Sequence, residues 1–247
     1  MKMNPLTSAL FVTGLLLPWA VHADTPSVLE VGTFSAASEG SAWPDGWTPL
    51  IFKKIEKQTT YRLVKDGGAT VVKAVSEASA SGLTRAITIN LTDYPIVQWR
   101  WKVTNVLKKG TAMKQEGDDY PARLYMTFEY DADKVGFFKK AQYEAIKLLY
   151  GQYPPLSAIT YIWDSALPKG TVLRSPYTER VTMIVVESGV ERLNQWVSEE
   201  RNVYEDYTKA FGNEPPMISG IAIMTDTDNR GESAVAYYGD IVFKKAP

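Results

Sequence analysis

The sequence predicts a mainly β protein: a two-sheet antiparallel β-sandwich, jelly-roll-like, with two short helices inserted in its connections. Apolar and polar residues alternate with period two through many short runs, as half-buried strands require. Gly, Pro and Asp clusters punctuate those runs at close intervals, which is the turn spacing of sandwiches. The 247-residue chain has no cysteine, so burial of its 45% hydrophobic residues must hold the fold without disulfides.

Taken from the N-terminus, Lys2 precedes an apolar run, ALFVTGLLLPWA over residues 9–20, and then Val21-His22-Ala23. Charge, short apolar stretch and small residues in that order predict a secretory signal at 1–23, cut after Ala23, with 24–247 as one domain. The run is too short to span a bilayer comfortably, and no later stretch is long and apolar enough to do so. Residues 70–90, TVVKAVSEASASGLTRAITIN, read as two strands around a turn at 79–82. In YPIVQWRWKV, Val97, Trp99, Trp101 and Val103 share one face, and Gln98, Arg100 and Lys102 share the other. ARLYMTFEY sets Leu124, Met126 and Phe128 against Arg123, Tyr125, Thr127 and Glu129. TYIWDS, RVTMIVVESG, ISGIAIM and AVAYYGDIVF complete the strands. Helical spacing takes over in 137–150, which stops at Gly151, and in 198–211, where Ser198 is the expected N-cap and Gly212 the stop.

Composition excludes several chemistries. The only histidine is His22, inside the expected signal, and cysteine is absent throughout. Triads built on His or Cys, and His- or Cys-ligated metals, are therefore excluded from the mature chain. A formal net charge of −1 leaves no overall electrostatic footprint for nucleic acid. Carboxylates, Tyr, Arg, hydroxyls and aromatic rings remain.

Three constellations use them. Arg100, Arg123 and Tyr125 sit on polar strand faces; if those strands were neighbours, their faces would combine into a platform for a polar or acidic glycan. The run EGDDYPAR crowds Glu116, Asp118 and Asp119 before a strand, with Arg123 as the nearby counter-ion. Such carboxylates suit acid/base work or calcium, although adjacent Asp118 and Asp119 on a strand would point to opposite faces. The third is TDTDNRG, residues 225–231. Asp226, Asp228 and Gly231 fit positions one, three and six of an EF-hand loop, but Arg230 and Tyr237 stand at positions five and twelve, so the motif is rejected. Flanked by strands, the segment reads as a long Asx-rich hairpin loop, with Asp240 as a distant acidic partner. Trp163 at a strand end, Tyr177 after a proline turn, and Asn229 complete the candidate ligand-binding set. No cofactor is expected, with calcium the one metal these oxygens leave open.

The strings WRWKV, EGDDYPARLYMTF, TYIW, SPYTERVTMIVV, ERNVYEDYTKAFG and IAIMTDTDNRGESAVAYYGDIVF resemble a bacterial exported family, domain of unknown function 3047, over residues 34–243. That resemblance implies export to the periplasm or beyond and brings no established activity. The early F…W…W stretch and the closing YYGDIVF strand are also similar in layout to galactose-binding and carbohydrate-binding jelly-roll modules. The expected function is non-catalytic binding of a polysaccharide or small polar ligand. The competing classes are a lyase or hydrolase run by Tyr/Arg or paired carboxylates, and a structural envelope protein.

Overall fold

A computed structural model describes residues 26–40, 43–108, 117–130 and 157–246. The expected signal, Glu116 and the expected helix at 137–150 lie outside these described residues. Among the described residues, thirteen strands form two sheets: β1 Val28–Gly32, β2 Thr48–Leu50, β3 Thr60–Asp66, β4 Ala69–Glu77, β5 Ala80–Ile89, β6 Ile96–Val103, β7 Ala122–Phe128, β8 Ser157–Asp164, β9 Val172–Ser175, β10 Thr178–Ser188, β11 Val197–Asn202, β12 Ile218–Asp226 and β13 Ser233–Lys244. The six-stranded sheet runs β11-β6-β13-β4-β3, with β1 also paired to β13. The seven-stranded sheet runs β2-β5-β12-β7-β8-β10-β9. The molecule is therefore the mainly β, two-sheet, jelly-roll-like sandwich that its periodicity predicts. One pairing departs from the antiparallel expectation: β8 and β10 run parallel. The chain leaves β8, descends as β9 and returns as β10 between the two, so β10 lies alongside β8 in the same direction.

The core lies between the inner faces, and period two decides which side chains enter it. Val97, Trp99, Trp101 and Val103 of β6 meet Ile159, Tyr161 and Trp163 of β8. Trp99 stacks on Tyr161 at 5.2 Å, and Trp101 tilts against Trp163 at 6.1 Å. Each such aromatic removes 150–250 Å² from water, worth about 4–6 kcal/mol at ~25 cal/mol/Å² before entropy is charged against it. Strand β8 is buried on both faces. Its outer Ile162 packs with Tyr120, Met183 and Val185 in a second apolar cluster.

Two local expectations need correction. The helix expected from Ser198 begins at Val203: α1 spans Val203–Phe211, with Asn202 as N-cap accepting from the Glu205 amide and Gly212 as a left-handed C-cap. Val197–Asn202 pairs along β6 instead, because Val197, Glu199 and Arg201 alternate with Ser198 and Glu200. The second correction is topological. TDTDNRG is not a hairpin loop, since β12 belongs to the seven-stranded sheet and β13 to the six-stranded one. The same holds for the turn between β4 and β5, which falls at Ala78–Ser79, with Ala78 at φ 47°. Both segments are crossings between sheets, and they run side by side. The Ser76 and Thr227 hydroxyls share a 2.8 Å hydrogen bond, the Thr227 amide donates to the Ser79 carbonyl at 2.9 Å, and the Ala78 amide donates to Glu232 at 2.8 Å.

Candidate functional site

Strands β7 and β12 are neighbours, with Arg123 opposite Met224 and Tyr125 opposite Ala222. Leu124, Met126 and Phe128 point into the core, so Arg123 and Tyr125 emerge on the outer face of the seven-stranded sheet. The 117–121 segment and the crossing after β12 close over that face. The result is a groove of about 700 Å³ lined by Asp118, Arg123, Tyr125, Asp226, Asp228 and Asn229 on its polar side. Ile51, Phe52, Ile55, Val181, Met183 and Met224 supply apolar surface, Lys53 and Lys54 line it from the same stretch as Ile51–Ile55, and Tyr177 stands at its rim, 54% exposed.

Arg123 organises the polar side. Its side chain is 3% exposed, a costly place for a cation unless every donor is satisfied. Its Nε donates to Asp226 Oδ1 at 2.7 Å, and Nη2 donates to Asp226 Oδ2, making a bidentate pair. Nη2 also donates to the Asp118 carbonyl, and Nη1 donates to the Tyr125 hydroxyl at 3.1 Å. Nη1 lies 3.5 Å from Asp118 Oδ1, and the Tyr120 ring packs 4.4 Å from the guanidinium carbon. Burial works against the Arg123 charge, but Asp226, Tyr125 and Asp118 outweigh it and hold the group well above its ordinary value.

The crossing itself is clamped residue by residue. Thr225 Oγ1 donates to the Pro121 carbonyl and shares a hydrogen bond with the Tyr238 hydroxyl. Asp118 and Asp119 lie before β7 rather than in a strand, so the strict alternation expected of them does not apply; Asp119 caps the crossing. It accepts from the Asn229 amide at 3.2 Å, Asn229 Nδ2 at 3.1 Å and the Arg230 amide at 2.6 Å. Gly231, at φ 66°, closes the turn by donating to Thr227. Asn229 Oδ1 in turn accepts from the Tyr177 hydroxyl at 3.1 Å, which ties the rim to the floor.

The carboxylates differ in what they have left to offer. Burial pushes the Asp226 carboxyl up to about 7 against the pull of Arg123. Burial also raises Asp118, again opposed by Arg123, and raises Asp228, with Asp119 adding to the effect. Asp118 is buried, and its Oδ1 accepts no hydrogen bond. Asp228 is half-buried on the same groove. Oxygens of Asp119, Asp226 and Asp228 approach within 4.8 Å of one another, the separation a cation site needs. Both oxygens of Asp119 are already taken by Asn229 and Arg230 N–H donors, and both of Asp226 by the Arg123 guanidinium. Calcium needs six to eight oxygens, and this donor set does not fit it.

Of the candidates read from the sequence, Asp118, Arg123, Tyr125, Tyr177, Asp226, Asp228 and Asn229 thus meet at one groove, with Asp119 bracing it from behind. Two do not join them. Arg100 lies on β6 of the other sheet, on the opposite side of the sandwich, so the combined platform does not form. Trp163 is fully buried between the sheets, its indole donating to the Gly189 carbonyl at 3.2 Å. Asp240 is likewise remote, accepting from the amide and hydroxyl of Ser35. The apolar wall at Ile51–Ile55 escaped sequence reading because IFKKI carries no periodic or turn signal that separates it from an ordinary loop.

The chain belongs to the family described as protein of unknown function (DUF3047), which matches residues 45–242. No curated protein gives a significant match. Among solved structures, the chain is similar to the carbohydrate recognition domain of Emp47p, with a TM-score of 0.42 at 10% identity over 90% of this chain and 96% of that one. The cellulose-induced protein Cip1 gives 0.37 at 10% identity over 79% and 90%, and the agarase AgWH50C 0.36 at 8% over 90% and 25%. Likeness at this level concerns general architecture and assigns no ligand.

Proposed function

We propose that this is an exported protein that binds a neutral or weakly polar glycan, without turning it over, in the groove over β7 and β12. Lys2, the apolar run and Val21-His22-Ala23 support export. One observation carries the binding reading: Asp118, Asp228 and Asn229 line the same groove as Phe52, Met183 and Met224, so polar acceptors and apolar surface share one opening. Carboxylate and amide oxygens accept from ligand hydroxyls, while apolar side chains cover the faces of a sugar ring. Asp228 offers a second acceptor, while Phe52 and Tyr177 present rings to the apolar faces of a sugar.

The same geometry argues against a Tyr/Arg lyase. Arg123 spends its donors on Asp226, Asp118 and Tyr125 and has no fork left for a substrate carboxylate. Burial, the largest effect, raises the Tyr125 phenol well above its usual range, which makes it a poor base. Paired-carboxylate hydrolysis is the second reading. It is favoured by the raised Asp118 and Asp228, which retain a proton more readily than free carboxylates.

Calorimetric titration with a panel of neutral oligosaccharides, run alongside a reducing-end assay, separates the two. Binding without product, weakened about tenfold or more by Asp118→Ala, is the expected result. Absence of binding to every member of the panel sinks the reading. Product formation abolished by Asp118→Asn or Asp228→Asn replaces it with the hydrolase.

A further inference from the structure

The outer face of the six-stranded sheet carries a second arrangement that the groove does not use. Arg62 of β3 is directly opposite Lys73 of β4, Lys73 is opposite Tyr237 of β13, and Tyr237 is opposite Lys102 of β6. Trp196, the residue before β11, continues the row, with Lys102 Nζ 5.4 Å from its ring. Lys102 also lies 4.3 Å from the Tyr237 ring, Lys73 lies 5.7 Å from it, and the Arg100 guanidinium sits 4.7 Å from Trp196. Beside the row, Lys57, Arg62 and Lys73 line an open groove of about 630 Å³, with Glu77 the one carboxylate among the described residues that line it.

Like charges directly opposite on one sheet face destabilise the pairing, so Arg62 against Lys73 costs stability. Among the described residues no carboxylate forms an ion pair with Lys57, Arg62 or Lys73; the row's one ion pair is Lys102 with Asp66. Protection of an exposed sheet edge accounts for a cation on β3, which is the edge strand. It does not account for Lys73 or Lys102, which lie on inner strands. Gly239 points the same way: a Cβ there would lie 2.5 Å from the Arg100 side chain. The glycine on β13 thus lets Arg100 lie flat across the sheet toward Trp196.

We infer that this face binds an acidic oligosaccharide, its carboxylates spaced along the Arg62–Lys73–Lys102–Arg100 cations. Neighbouring strands are about 4.8 Å apart, so Arg62 and Lys73 stand one step apart and Lys102, beyond Tyr237, two steps further on, with Arg100 on the same strand as Lys102. Arginine supplies the fork that matches a carboxylate, and lysine the point charge. A nucleic-acid strand is the less favoured occupant. Its sequence-independent affinity needs free ring faces for bases, and both Tyr237 and Trp196 already engage two cations each. This inference stands apart from the groove on the other sheet, which takes neutral hydroxyls.

The test titrates the purified protein at low ionic strength with a short oligogalacturonate, a neutral cello-oligosaccharide, a single-stranded oligonucleotide and phosphatidylglycerol vesicles. The oligogalacturonate is expected to bind, to weaken as salt is added, and to lose about tenfold or more in affinity with either Lys73→Gln or Arg62→Gln. Both variants relieve a like-charge contact, so their melting temperatures should equal or exceed that of the parent, which separates lost binding from lost folding. Failure of oligogalacturonate to bind, tighter binding of the oligonucleotide or the vesicles, or parental affinity in the Arg62→Gln/Lys73→Gln protein overturns the inference. A neutral-glycan signal that survives any of these outcomes leaves the groove reading standing.

Discussion

The two outer faces of this sandwich use the same residue types to opposite ends. On the seven-stranded sheet, Arg123 is buried and faces a carboxylate, a carbonyl, a phenol and a ring. On the six-stranded sheet, Arg62 and Lys73 face each other in the open without an ion-pair partner among the described residues. Burial explains the difference. A charge removed from water must find all its partners inside the protein, whereas an exposed charge is held by solvent and stays available to something else. Charge paired inside the protein, as at Arg123, builds the site; charge without an ion-pair partner among the described residues, as at Arg62 and Lys73, is left to meet something from outside.

The largest expected effect comes from breaking the buried lock. Arg123→Met leaves Asp226 buried without its counter-charge and should cost about 3–5 kcal/mol, on the order of 10 °C in melting temperature for a domain of this size. Adding Asp226→Leu should recover most of that loss, because an apolar pair in place of a buried ion pair is close to neutral. Thermal melts check both; a single variant within about 1 kcal/mol of the parent would break the comparison at its root.

Thr227→Val probes the paired crossings that carry the lock. It removes the hydroxyl that meets Ser76 and the Ser79 amide, at an expected cost of about 1–3 kcal/mol by urea titration. An unchanged midpoint would mean that the crossings hold without their stitching.

Glu199 sharpens the contrast inside the sandwich. Burial, then the neighbouring Glu187, pushes its carboxyl up to about 7, and its Oε1 has no hydrogen-bond partner. The folded state keeps this proton where the unfolded chain, near 4.5, has released it. The folded state therefore binds more protons across that interval. The contribution is complete below 4.5 and is lost as pH rises towards 7. Denaturant midpoints of Glu199→Gln at the two ends of the interval should show a flatter dependence than the parent; an equal slope would assign the dependence elsewhere. The smallest effect is that of Lys73→Gln on stability, expected within about 0.5 kcal/mol of zero and on the favourable side. A clear loss would make Lys73 a structural residue.

Much of this was legible along the chain. Alternation placed Val97, Trp99, Trp101 and Val103 inside, and Arg100 and Lys102 outside, before any pairing was known. The acidic run and TDTDNRG were recognisable as sites of interest, and the EF-hand test separated them from a calcium loop. What escaped was partnership. Arg123 and Asp226 are 103 residues apart, and nothing local in either stretch names the other. The basic row escaped for the same reason. Its cations come from three strands, Arg62 from β3, Lys73 from β4, and Arg100 and Lys102 from β6, and are diluted to a net charge of −1 over the whole chain.

By itself the sequence determined the eight strands with clear alternation, which side of each is apolar, and which catalytic chemistries lack their residues, because period, propensity and composition are local properties. It missed β1, β2, β3 and β9 and read β11 as helix. Tertiary structure decided that β12 and β13 part into different sheets, that Arg100 and Arg123 face opposite sides, and that Asp226 locks an arginine rather than a metal. Those outcomes follow from hydrogen-bond pairing between distant strands, and a pairing exists only once both partners are folded.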